Sequence, residues 1–93
     1  MKTLTNKVVV ITGAGNGIGR SLAVQFAKHG AKLALNSRTL ENLNETASLL
    51  NLEKDRLFTK AFNISHKESV FEFAKEVNDH LAILLVLVLA LNK

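Results

Sequence analysis

Behind the apolar run Val8-Val9-Val10-Ile11, the segment Thr12 to Arg20 reads TGAGNGIGR, with glycine at positions 13, 15, 17 and 19. Glycine loses more backbone entropy on folding than any other residue, so a cluster this dense needs a compensating use. A glycine-rich turn that leaves a strand and opens a helix brings bare N–H groups and the positive end of the helix dipole to one point, which binds anions. In that frame Gly13 permits the sharp turn out of the strand, and Gly17 lets the backbone approach a diphosphate without an intervening Cβ. Gly19 allows the helix to pack closely on the sheet. Asn16 and Ile18 complete the candidate anion-binding loop.

Spacing separates one phosphate loop from another. A Walker loop, GxxxxGK[ST], is excluded because Arg20 follows Gly19 and no glycine pair has the required interval. The fingerprint GxGxxG also fails, since its third glycine would fall on Ile18 when counted from Gly13 and on Arg20 when counted from Gly15. The pattern that fits is TGxxxGxG, as Thr12, Gly13, Gly17 and Gly19.

The elements that must hold this loop follow from apolar periodicity. Val8 to Thr12 is β-branched and apolar without alternation, which predicts a parallel strand covered on both faces. Ile18, Leu22, Ala23, Phe26 and Ala27 recur at helical spacing, and Gly30 is a stop signal. Lys32 to Asn36 predicts a second strand, followed by a helix with apolar positions Leu40, Leu43, Ala47 and Leu50. Leu57 to Phe62 predicts a third strand. Ser65-His66-Lys67-Glu68 has capping-box spacing, so a helix is expected from Ser65 with Val70, Ala74, Val77 and Leu81 on its buried stripe. The run Ile83 to Leu91 has nine apolar residues and no charge, and its beginning predicts a fourth strand. The alternation β-α-β-α-β-α-β specifies an α/β fold with a doubly wound parallel sheet.

The segment Lys7 to Arg20, KVVVITGAGNGIGR, resembles the opening of a short-chain dehydrogenase/reductase, a family of Rossmann-fold oxidoreductases that use NAD(H) or NADP(H). The resemblance runs over residues 5 to 87. It implies an NAD(P)-binding Rossmann domain over residues 1 to 93, cut short after four strands in the order 3-2-1-4, with 83 to 93 an apolar fourth strand and divergent tail, while the absence of cysteine fits a cytoplasmic location. By resemblance Ser37 stands where an acid would select NAD, and Arg38 follows it. A small hydroxyl beside a guanidinium holds a ribose 2′-phosphate that an acid would repel, so NADP(H) is expected in preference to NAD(H). Asn16 stands where many NADP-preferring members carry a second basic residue, which leaves mixed cofactor use open. Asn63-Ile64 falls where the family usually has Asp-Val reaching the adenine, so Asn63 is expected to contact the adenine amino group or to cap the strand end.

The family's catalytic Ser, Tyr and Lys lie well downstream of the glycine loop, and this chain has no tyrosine, so no catalytic residue is assigned. Where relatives carry a polar I-D-x-L-V-N-N-A-G stretch, this chain has Ile83 to Leu91, which reads as a strand continued by a tail acquired through truncation or frameshift. Its apolar edge invites self-association by strand pairing. The expected function is therefore the NADP(H)-binding N-terminal portion of an oxidoreductase, unable to turn over alone. The alternatives are a non-catalytic nucleotide-binding or strand-edge interaction module, and a truncated product without function.

Composition bounds the remaining classes. The chain has 93 residues, 47% hydrophobic and 22% charged, which suits one small folded domain rather than a disordered segment. The net charge of +4 is scattered rather than gathered on one face, and the only aromatics are five Phe, which argues against nucleic-acid recognition. The apolar tail is too short for a membrane span, which needs about 20 residues. The N-terminal run Val8 to Ile11 is too short for a secretory signal. With no cysteine and with His29, His66 and His80 far apart, neither a disulfide framework nor a metal site is expected.

Overall fold

The computed structural model describes residues 4–81 and 86–90; of the last segment it gives the backbone only. The parallel strands β1 (Val8–Thr12), β2 (Lys32–Ser37), β3 (Leu57–Ala61) and β4 (Val86–Ala90) are hydrogen-bonded in the order β3-β2-β1-β4. Register pairs Val9 with Leu33 on one side and with Leu87 on the other. Between the strands run α1 (Gly17–Lys28), α2 (Leu40–Leu50) and α3 (Lys67–Leu81). The rest of the expected run from Ile83 to Leu91, and residues 92–93, lie outside the described residues.

The absence of polar alternation in β1 and in Leu33-Ala34-Leu35 of β2 follows from burial on both faces. Val9, Ile11, Leu33 and Leu35 pack with Ala23 of α1 and with Leu43 and Leu50 of α2. Their neighbours Val8 and Ala34 point the other way, onto Phe73, Val77 and Leu81 of α3. Phe73 is wedged between Phe58 and Phe62, with ring centroids 5.9 and 5.2 Å away. Lys60 of β3 reaches Glu76 of α3 at 2.6 Å, and this hydrogen bond holds its ammonium above the usual 10.5.

Gly30 ends α1 as expected. It takes φ +88°, and the following Ala31 N–H bonds back to the Phe26 carbonyl, a Schellman closure that a residue with a Cβ would strain. Three expectations need correction. The helix expected from Ser65 begins at Lys67, because the Asn63 carboxamide oxygen captures both the Ser65 N–H (3.0 Å) and its hydroxyl (2.8 Å). The capping box therefore does not form, and His66 Nδ1 meets Ser69 Oγ at 2.8 Å instead. On α3, Phe73 is buried where Ala74 was expected. Ile18 and Leu40, expected in apolar stripes, are 73% and 59% exposed, since both open helices beyond the carboxyl edge of the sheet.

Candidate functional site

Parallel strands end on one edge, and there the chain assembles three segments distant in sequence. Residues 13 to 19 leave β1, Ser37 and Arg38 leave β2, and Asn63 and Ile64 follow β3. Backbone bonds join them: Ala14 N–H donates to the Asn36 carbonyl at 2.8 Å, and Phe62 N–H donates to the Ser37 carbonyl at 3.0 Å. Asn36, only 2% exposed, adds Nδ2 bonds to the carbonyls of Lys60 and Phe62 at 3.2 and 3.1 Å.

Within the turn each glycine has a different physical reason. Gly13 takes φ +71°, which reverses the chain as it leaves β1. Gly17 takes φ +56° at the first position of α1, and a Cβ built there would meet nothing within 4 Å, so backbone faces open space. A Cβ on Gly19 would run into the Gly13 carbonyl, so the close approach it permits is of helix to turn. Gly15, given no role by the sequence, would press a Cβ against Ser37 Oγ, so its bare α-carbon lets β2 close on the turn.

Asn16 stands at the N-cap of α1 without a side-chain cap bond, and no acid lies in the helix's first turn. The leading N–H groups of α1 therefore keep their orphan donors at a surface where Asn16, Gly17 and Ile18 are all exposed. An uncapped helix start of this kind is complementary to a diphosphate.

The remaining expected residues follow β2 and β3 at the same sheet edge. Ser37 is 8% exposed, and its Oγ accepts from the Thr39 N–H at 3.3 Å. Arg38 is exposed and forms no hydrogen bond or ion pair with a described residue. Asn63 is exposed, with its carboxamide oxygen in the Ser65 turn, while Ile64 presents an apolar side chain that is 41% exposed.

Two further residues shape the turn from behind. Arg20 Nε donates to Thr46 Oγ1 at 2.8 Å, and its Nη2 donates to the Gly15 carbonyl, to the Asn42 carbonyl at 3.0 Å and to Glu45 at 3.2 Å. The Thr46 hydroxyl, fully buried, donates to the Ala14 carbonyl at 2.8 Å. The sequence did carry a signal for Thr46: it lies three residues after Leu43 and four before Leu50, on the buried stripe of α2. The histidines are exposed and dispersed, and no cluster of metal-ligating side chains occurs among the described residues. No helix among them is long and apolar enough to cross a membrane.

The chain is similar to known proteins in sequence and in fold. The short chain dehydrogenase family model matches residues 7–90. Estradiol 17-beta-dehydrogenase 11 of Homo sapiens is 36% identical over 87 residues, covering 94% of this chain and 29% of that protein. An uncharacterised oxidoreductase of Staphylococcus aureus (strain USA300) is 39% identical over 75 residues, covering 81% of this chain and 32% of the relative. Among solved structures, a short-chain dehydrogenase/reductase (glucose/ribitol dehydrogenase) from Brucella melitensis superposes with a TM-score of 0.82 at 28% identity, over 92% of this chain and 36% of that one. A 3-ketoacyl-(acyl-carrier-protein) reductase from the same organism, solved with NADH, gives 0.79 at 28% identity, over 90% and 34%. The chain thus spans about a third of the length of the relatives it matches, over their N-terminal part.

Proposed function

The chain belongs to the short-chain dehydrogenase family, and from that premise we propose that it binds a nicotinamide dinucleotide at the carboxyl edge of its sheet, with NADP(H) preferred over NAD(H). The observation that carries this reading is the exposed, uncapped start of α1 at Gly17, where an added Cβ would meet nothing within 4 Å. The diphosphate lies against this start, held by N–H groups that have no partner within their own helix. Ser37 and Arg38 receive the ribose 2′-phosphate. The Ser37 oxygen already accepts from Thr39, which leaves its hydroxyl proton to donate, and the exposed Arg38 guanidinium supplies charge-assisted bonds. The adenine end is assigned to the Asn63-Ile64 corner, with Ile64 as the apolar wall. Because Asn63 Oδ1 is engaged by Ser65, the expected acceptor for the adenine amino group is taken, and the Nδ2 left to face the base would donate to a ring nitrogen instead.

When bound, the nicotinamide would supply or accept a hydride. The chain has no tyrosine for the family's Ser-Tyr-Lys machinery, so alone it binds the cofactor without turning over a carbonyl substrate. The position of β4 at the end of the sheet order favours a second reading, in which its outer edge pairs with another copy.

A cofactor that binds only the folded chain must raise its thermal midpoint, by the equivalent of about 2.7 kcal/mol at a hundredfold excess over Kd. NADPH is expected to raise it more than NADH, and Arg38→Ala is expected to erase that difference. No rise with either cofactor overturns the reading, while an equal rise overturns the NADP preference alone.

A further inference from the structure

Arg20 is a cation in the first turn of a helix, where the dipole disfavours positive charge and where no acid of α1 offsets it. Its guanidinium does not face outward as a ligand for an anion would. It turns onto α2 and the back of the glycine turn, with its side chain only 26% exposed. Its ion pair with Glu45, itself 64% exposed, is too solvated to account for that placement. The partners that explain it are the Gly15 carbonyl, the Asn42 carbonyl and the buried Thr46 hydroxyl, which in turn holds the Ala14 carbonyl.

Two successive peptide groups of the turn are thereby fixed from one side. All described peptide bonds are trans, so the C=O and N–H of each planar unit point in opposite directions. Binding the Ala14 carbonyl sets the Gly15 N–H, and binding the Gly15 carbonyl sets the Asn16 N–H, both directed away from α2. Neither peptide is within a helix or strand ladder, so no regular hydrogen-bond pattern would otherwise fix its plane.

We propose that Arg20 and Thr46 act as a positioning pair which fixes the peptide planes of residues 14 to 16 for a dinucleotide diphosphate, so that cofactor affinity depends on two side chains behind the loop. The proposal rests on the dinucleotide reading above and adds residues to it. It requires the planar fork of arginine rather than its charge alone, since Nε takes the Thr46 hydroxyl while Nη2 takes the Gly15 and Asn42 carbonyls, two separate donor nitrogens that a single lysine ammonium does not supply. It also makes the two residues one unit, whose losses do not add.

The test is NADPH affinity of the 93-residue chain and its variants by calorimetry well below the thermal midpoint, with 15N relaxation of the Gly15 and Asn16 amides in the unliganded protein. Arg20→Met, Arg20→Lys and Thr46→Val are each expected to weaken binding about tenfold, the loss of one charge-assisted or buried hydrogen bond. The double variant Arg20→Met/Thr46→Val should be scarcely weaker than either single one. Thr46→Ser, which keeps the hydroxyl, should bind within about twofold of the parent, as should Glu45→Gln. The two amides should loosen in Arg20→Lys and Thr46→Val, from order parameters near the rigid value of about 0.85 towards about 0.6, while the sheet stays rigid. If Arg20→Met does not fold, Arg20→Lys and the Thr46 variants carry the test. Parent-like affinity and amide order in Arg20→Lys would mean that charge alone matters and would overturn the proposal. Additive losses in the double variant would overturn it too. Failure of the parent chain to bind NADPH would instead overturn the dinucleotide reading, and the proposal with it.

Discussion

Gly17 and Gly19 are two positions apart and exclude a side chain for different reasons. At Gly17 the obstacle is conformational: φ +56° disfavours an L-residue by about 1–2 kcal/mol, but a Cβ would touch nothing. At Gly19 the obstacle is steric, because a Cβ would strike the backbone of the turn at Gly13 and Ala14. Forced overpacking of this kind costs about 1–3 kcal/mol or more. Gly19→Ala is therefore expected to lower the urea midpoint more than Gly17→Ala. On the proposed reading, Gly17→Ala should weaken cofactor binding beyond its effect on stability, because its methyl would enter the open space assigned to the diphosphate. The reverse order of urea midpoints would mean that turn and helix are not packed as described. At this scale the sequence made Gly13, Gly17 and Gly19 legible through the motif. It left Gly15 without a role because the reason is Ser37, 22 positions away in sequence and adjacent only after β2 pairs with β1.

The helices show where periodicity reads true and where it slips. On α3 the stripes Val70-Ala74-Val77-Leu81 and Phe73-Val77-Leu81 are nearly in phase, so spacing alone does not choose between them. Packing chooses Phe73, because its ring fills the gap between Phe58 and Phe62 that a methyl would leave empty. Phe73→Ala is expected to cost about 3–5 kcal/mol in urea denaturation. Phe71→Ala, at a side chain 68% exposed, should stay within about 0.5 kcal/mol. Similar losses at both positions would contradict the assigned face of α3. Thr46 illustrates the opposite slip, since a hydroxyl on an apolar stripe is passed over by a reading that counts only hydrophobic residues. Its burial is tolerated because both its donor and acceptor functions are used.

At the scale of the whole molecule, the chain changes direction between β3 and β4. The chain builds outward from β1 through β2 to β3, then returns across the sheet so that β4 lies on the other side of β1. The outer edge of β4 is the feature on which self-association would act. If copies pair through it, the parent chain should elute ahead of a monomer on size exclusion and Leu87→Lys should shift it back; identical monomeric elution of both proteins would remove the idea. The sequence by itself determined the class of fold and the position of the glycine turn between β1 and α1. Both are written in local patterns: unbroken apolar strands, helical periodicity and the TGxxxGxG spacing, each set by the chemistry of residues close along the chain. Only the tertiary structure decided which polar groups stand behind that turn. Arg20 and Thr46 are 26 residues apart in sequence, Asn36 and Phe62 likewise, and their bonds exist only once parallel strands bring the carboxyl ends of β1, β2 and β3 to a common edge. A buried carbonyl must find a donor wherever the fold places one, and that partner is fixed by chain topology, which no local pattern records.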